Sequence, residues 1–185
     1  SYISPPAGRG LLFCYYLPVM SRRLLISCLL LALPATARAY GEASILRDKA
    51  SGVTLRAPYG WVLHKQTGYP ELRGLLVHRQ GDATIALMVG HLAPGQSLEA
   101  YIKENCQTMT VVGVAVKKCG KPESSRPQWR RVDGSITKHR RRVEQYYRAE
   151  GGQVIILSLP AAAGVASRRS ADLWRVLDTL IVPPR

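Results

Sequence analysis

The chain has 185 residues, with 26 lysines and arginines against 12 aspartates and glutamates, for a formal net charge of +14. Its 46% apolar content is enough to build a core and excludes a disordered chain. The charge bears on partners rather than fold: it suits anionic polymers, anionic lipid headgroups or an acidic protein, and equally a protein that is simply basic.

Residues 1–19 precede the first methionine, and Pro5-Pro6, Gly8 and Gly10 suggest nothing that folds alone. We read them as upstream, non-native translation. Residues 20–39 read as a signal peptide. Arg22 and Arg23 form a positive n-region, Leu24 to Leu33 an apolar h-region, and Ala37-Arg38-Ala39 a small-x-small cleavage site before Tyr40. Ten apolar residues fall well short of the roughly 20 needed to span a bilayer. Two rival readings use the same residues: a lipid-anchored start at Cys28 after Leu25-Ile26-Ser27, and a twin-arginine export signal. Residues 40–185 are then one globular domain, large enough to bury roughly two thirds of its unfolded surface without metals. The expected location is periplasmic or secreted, with no transmembrane helix in the mature form.

In chain order, Ser44–Arg47 and Val53–Arg56 read as short strands around Ser51-Gly52, and Pro58-Tyr59-Gly60 as a turn. Trp61–Lys65 is a strand and Gly68–Gly74 a loop. Leu75–Arg79 and Ala83–Leu92 form a hairpin. Ile85, Leu87 and Val89 point one way, Ala86 and Met88 the other, so this strand must be covered on both faces. Ser97–Met109 reads as an amphipathic helix capped by Ser97, with Glu99 at its positive end and Leu98, Tyr101, Ile102 and Met109 on one face. Val111–Lys117 reads as an apolar strand and Pro122–Pro127 as a loop. Gln128–Ile136, Arg141–Ala149 and Gln153–Leu159 form a meander, with Gly151-Gly152 as a two-residue turn. Ser167–Leu180 is a last helix whose buried stripe is Leu173, Trp174, Leu177, Leu180 and Ile181.

Leu55-Arg56-Ala57-Pro58-Tyr59-Gly60-Trp61 resembles the apolar-x-x-Pro-x-Gly-Trp start of PsbP-like domains, and the order of elements over roughly residues 43–182 is similar to that family. The resemblance implies an α+β fold: an antiparallel β-sheet flanked by helices on both faces, an α/β/α sandwich. The family includes an extrinsic subunit of the photosynthetic water-oxidising complex and many bacterial envelope proteins, and shares no catalytic residue set. Physically the motif is structural, with Pro58 and Gly60 making a turn and Trp61 filling the core. A ligand-stacking role for Trp61 is the alternative.

Cys106 and Cys119 are the only cysteines beyond Tyr40 and are expected to form a disulfide; the rival, a catalytic thiol, lacks a recognisable Cys–His signature. His64, His78, His91 and His139 show no metal spacing and are expected at the surface or rim. Asp133, Glu144 and Glu150 lie among arginines, which favours cross-strand ion pairs over acid–base chemistry. Basic residues crowd one hairpin and the segment before it. The candidate anion or partner surface is Arg130, Lys138, Arg140, Arg142 and Arg148, with Arg130 and Arg142 on one face, Arg131 and Arg141 on the other, and Trp129, Tyr146 and Tyr147 as stacking aromatics. The alternative is a solvated, ion-paired edge. No cofactor is implied, and export disfavours nucleic acid. The expected function is a non-enzymatic binding or scaffold protein of the cell envelope with an unidentified partner. The alternatives are a polyanion- or anionic-lipid-binding module, and a hydrolase or other enzyme.

Overall fold

The structure, a computed structural model, describes residues 45–65, 70–136 and 140–183. The leader, Lys138 and His139 therefore lie outside the described residues. Strands β1 (Ile45–Arg47) and β2 (Thr54–Arg56) form a two-stranded ribbon. Strands β3 (Trp61–Lys65), β4 (Leu72–His78), β5 (Thr84–His91), β6 (Ala115–Glu123), β7 (Arg126–Ile136), β8 (Arg141–Glu150) and β9 (Gln153–Ala162) form a seven-stranded sheet in the order β3-β4-β5-β9-β8-β7-β6. Each pairing in it is antiparallel. Helix α1 spans Leu98–Val111 and α2 spans Ala163–Thr179. The class is α+β.

Alternation along the central strands divides the apolar residues into two cores. Ile85, Leu87 and Val89 of β5 and Ile155, Leu157 and Leu159 of β9 pack with Leu173, Val176 and Leu177 of α2 and with Leu46 and Leu55 of the ribbon. Ala86, Met88, Val154 and Ile156 pack with Tyr101, Ile102, Cys106 and Met109 of α1. The second core holds a polar chain. The Tyr147 hydroxyl donates to Gln145 Oε1 at 2.6 Å, Gln145 Nε2 donates to Ser158 Oγ at 3.2 Å, and Asn105 Nδ2 reaches both Gln145 and Tyr147. Burial drives the Tyr147 hydroxyl far above the ordinary tyrosine range, so it remains a donor.

Ser97 caps α1 as expected, its hydroxyl accepting from the Ala100 N–H at 3.1 Å. The segment after it departs from the sequence reading. Val111 ends the helix rather than opening a strand, and Gly113, at φ 86°, turns the chain. The Val114 N–H donates to the Met109 carbonyl and Gly113 N–H to that of Thr110, the two bonds of a Schellman ending, and Met109 and Val114 supply its apolar contact. The strand propensity of Val111-Val112 hid this stop. Pro122 and Pro127 likewise lie in strands rather than a loop, with only Ser124-Ser125 turning between them. Pro122 is tolerated because β6 is the border of the sheet, where a missing N–H leaves no ladder bond open. Helix α2 begins at Ala163, before Ser167. Ile181 is 63% exposed rather than part of the buried stripe. The helix stops at Thr179, and the Ile181 backbone bonds to that of Thr54 instead, at 2.9 and 3.0 Å.

A Cβ at Gly134 would lie 2.5 Å from Val114 Cγ1, inside the second core. Gly134→Ala is therefore expected to destabilise the protein by about 2 kcal/mol through overpacking. Urea unfolding measures this directly, and an unchanged midpoint would mean that Val114 yields without cost.

Candidate interaction surface

The antiparallel ladder gives the sheet two chemically different ends. At one, here the hairpin end, β7 meets β8, β4 meets β5, β9 runs into α2, and α1 gives way to β6. At the other, β8 turns into β9 through Gly151-Gly152 and β6 into β7 through Ser124-Ser125.

The five residues of the expected surface separate between these ends and between the two faces. Arg130 pairs in register with Tyr147, and Arg142 with Ser135, so Arg130 and Arg142 project from opposite faces, contrary to the sequence reading. Arg130 and Arg148 also lie at the far end, each beside a carboxylate. Arg130 Nε is 3.3 Å from Glu99 and Arg148 is 2.8 Å from Glu150. Arg140 and Arg142 are at the hairpin end. Arg140 is exposed, with φ 48°, a conformation in which glycine or asparagine costs less. Arg142 reaches the Ser167 hydroxyl of α2 at 3.5 Å. The stacking aromatics are inside: Trp129 is 2% exposed, and Tyr146 and Tyr147 are fully buried. Trp61 is 5% exposed and belongs to the core.

Asp133 and Glu144 stand directly opposite each other on β7 and β8. Arg131 bridges them, with Nε 3.0 Å from Asp133 and Nη2 3.2 Å from Glu144, and it also lies 3.8 Å from Glu123. Burial works against the charge on Arg131, but Glu144, then the Tyr146 oxygen and Asp133, outweigh it and raise its pKa. Glu144 further accepts from the Tyr146 and Ser170 hydroxyls, each at 2.8 Å. Burial first, then the charge of Glu144 and the hydrogen bond to it, push the Tyr146 phenol far above its ordinary value. Trp174 meets Tyr146 edge-on at 4.8 Å, and the Arg126 guanidinium lies 4.8 Å above Trp174. Each charge here is matched, so the cluster joins α2 to the sheet instead of offering an acid–base pair. Glu150 pairs along its own strand with Arg148 rather than across strands.

His78 is 9% exposed, not at the rim. Its Nδ1 lies 3.0 Å from Asp82, which Arg169 of α2 also contacts at 3.1 Å. Burial opposes ionisation of Asp82, but the hydrogen bond and charge of Arg169 hold its pKa below the ordinary value. Sequence spacing gave no sign of this contact, because Arg169 lies 87 residues further along the chain. His64 is half-buried in β3 and His91 exposed at the end of β5. Among the described residues no group of three His, Cys, Asp or Glu side chains is arranged to hold a metal. Cys106 of α1 and Cys119 of β6 are disulfide-bonded, with Cα atoms 6.3 Å apart.

No family model and no curated protein matches the chain. Among solved structures, the solution structure of cyanobacterial PsbP (CyanoP) from Synechocystis sp. PCC 6803 matches with a TM-score of 0.58 and 14% identity, over 80% of this chain and 98% of that one. The fold is PsbP-like. A crystal structure from Bacteroides thetaiotaomicron also aligns, with a TM-score of 0.46 and 8% identity, over 78% of this chain and 50% of that chain. In this PsbP-like fold the hairpin end carries arginines that no carboxylate among the described residues matches, Arg140 and Arg142. Arg168, missed in the sequence reading, joins Arg140 and Arg142 because β9 delivers α2 beside the start of β8.

Proposed function

We propose that this is an exported, non-enzymatic binding or scaffold protein of the cell envelope that holds an anionic partner at its hairpin end. On this reading residues 20–39 are removed, residues 40–185 form one domain, and α1 and α2 cover opposite faces of the sheet as the outer layers of a sandwich. The observation that carries the binding role is the division of the arginines. Arg126, Arg130, Arg131, Arg148, Arg169 and Arg175 are each tied to a carboxylate. Arg140, Arg142 and Arg168, which have no carboxylate partner among the described residues, lie at the hairpin end; Arg47 and Arg56 of the ribbon, also without one, lie apart from them. Support for a non-catalytic role is that the buried carboxylates serve cross-links between elements. The disulfide suits an oxidising compartment. Among the described residues no helix is long and apolar enough to cross a membrane.

The test is to express the full chain in a bacterial host and compare it with a variant in which Lys138, Arg140, Arg141 and Arg142 are all glutamine. The expected result is a new N-terminus at Tyr40 and retention with the cell envelope that the variant loses. Equal retention of both proteins refutes the hairpin end as the binding site.

A further inference from the structure

Resting on that reading, we infer that the hairpin end is a docking surface for an anionic lipid bilayer, which the molecule meets end-on. Three independent features converge there. The first is charge. Arg79, Arg140, Arg141, Arg142 and Arg168 lie in or beside the chain reversals of this end. Among the described residues Asp82 lies there, held by Arg169 and His78, and Asp172 lies behind it on the same Arg169. The acidic residues are instead weighted to the far end, where Glu71 precedes β4, Glu99 opens α1, Glu123 and Glu150 close β6 and β8, and Asp178 ends α2. Four of these are matched by Arg130, Arg131, Arg148 and Arg126. The molecule is polarised along its strands, with a cationic end and a neutralised one.

The second feature is apolar. Among the described residues, two of the three exposed large hydrophobic residues stand at this same end. Tyr59, 102% exposed, is in the turn before β3, and Val111, 76% exposed, closes α1 beside the start of β6. These elements border the sheet on opposite sides, about 29 Å apart by six strand spacings. The arginines lie between them. A soluble polyanion or an acidic protein patch gains from the charges alone. A lipid surface gains from both, since the headgroups attract the guanidinium groups while the side chains at the two corners enter the interface.

The third feature is conformational. Arg140 occupies a left-handed backbone position where glycine is better tolerated, so the charge is placed there at a local conformational cost. This also supplies a clean probe, because Arg140→Gly removes the charge and relieves the backbone.

The experiment is co-sedimentation of the processed protein, purified after expression of the full chain and carrying no residues before Tyr40, with vesicles of 30% phosphatidylglycerol in phosphatidylcholine, with pure phosphatidylcholine as the blank; the anionic-minus-neutral difference is the readout. Each headgroup-facing arginine is worth about a fivefold change in affinity, so the triple variant Arg140→Gly, Arg142→Gln, Arg168→Gln is expected to bind about a hundredfold more weakly. Tyr59→Ser with Val111→Ser is expected to weaken binding severalfold without altering its dependence on salt. Lys103→Gln with Lys121→Gln, away from this end, is expected to leave it within twofold. Circular dichroism of each variant establishes that it is folded. Loss of the vesicle signal in the charge variant and weakening in the apolar one support the inference. Equal sedimentation of wild type and triple variant overturns it. So does binding to dextran sulfate, but not to vesicles, that is insensitive to the apolar pair. If the vesicles fail while envelope retention still requires the hairpin charges, the partner is not lipid and the broader reading survives. If both are indifferent to those charges, both readings fall.

Discussion

Arg131→Met is expected to destabilise the protein by about 3 kcal/mol, more than any exposed charge substitution. The cause is the geometry that Arg131 resolves. Asp133 and Glu144 face each other across neighbouring strands and are 6% and 4% exposed. Like charges in that position repel, and without the guanidinium each keeps a desolvated charge with fewer partners. Methionine preserves most of the volume and some contact with Tyr146, whose ring lies 5.8 Å from the guanidinium carbon. Adding Asp133→Asn and Glu144→Gln is expected to recover most of the loss, because the repulsion goes with the charges. Urea denaturation of the single and triple variants decides it. A single variant as stable as the wild type would show that Lys118, 3.9 Å from Asp133, and the Tyr146 and Ser170 hydroxyls suffice without Arg131.

The second large effect is expected from replacing Cys106 and Cys119 together by alanine, a loss of about 3 kcal/mol in the chain-entropy account of a loop this short. The bond joins α1 to β6, a border strand that hydrogen-bonds to β7 alone within the sheet. The loss should therefore be local first. Amide exchange in β6 and the last turns of α1 is expected to accelerate before that of β5 and β9. Hydrogen exchange measured with and without reductant distinguishes this from a uniform loss, which would place the cross-link's whole effect in the unfolded chain.

The sequence carried the fold further than it carried the surface. The unbroken apolar run Ile85–Val89 announced a strand buried on both faces, and Ser97 with Pro94-Gly95 announced the start of α1, because each signal is local. The Pro-x-Gly-Trp turn placed Trp61 in the core for the same reason. Signals depending on distant partners were lost. Arg130 and Arg148 are indistinguishable from Arg142 in the sequence, and only the register of β7 on β8 and the approach of Glu99 separate them. Tyr146 and Tyr147 are adjacent and both wholly buried, one in each of the two cores. Sequence alternation alone would have exposed one of them. Arg168 escaped notice because its relevance depends on where β9 ends, not on any neighbour in the chain.

Strand β6 has one further consequence. Its pairing slips at three places, between Val116 and Lys118, between Lys118 and Lys121, and between Pro122 and Glu123. Three lysines and a proline line it. A second molecule meeting this border finds no unbroken run of amides to zip against. Copies concentrated on a common support would thus stay separate along that margin, forming a layer of individual particles rather than fibrils.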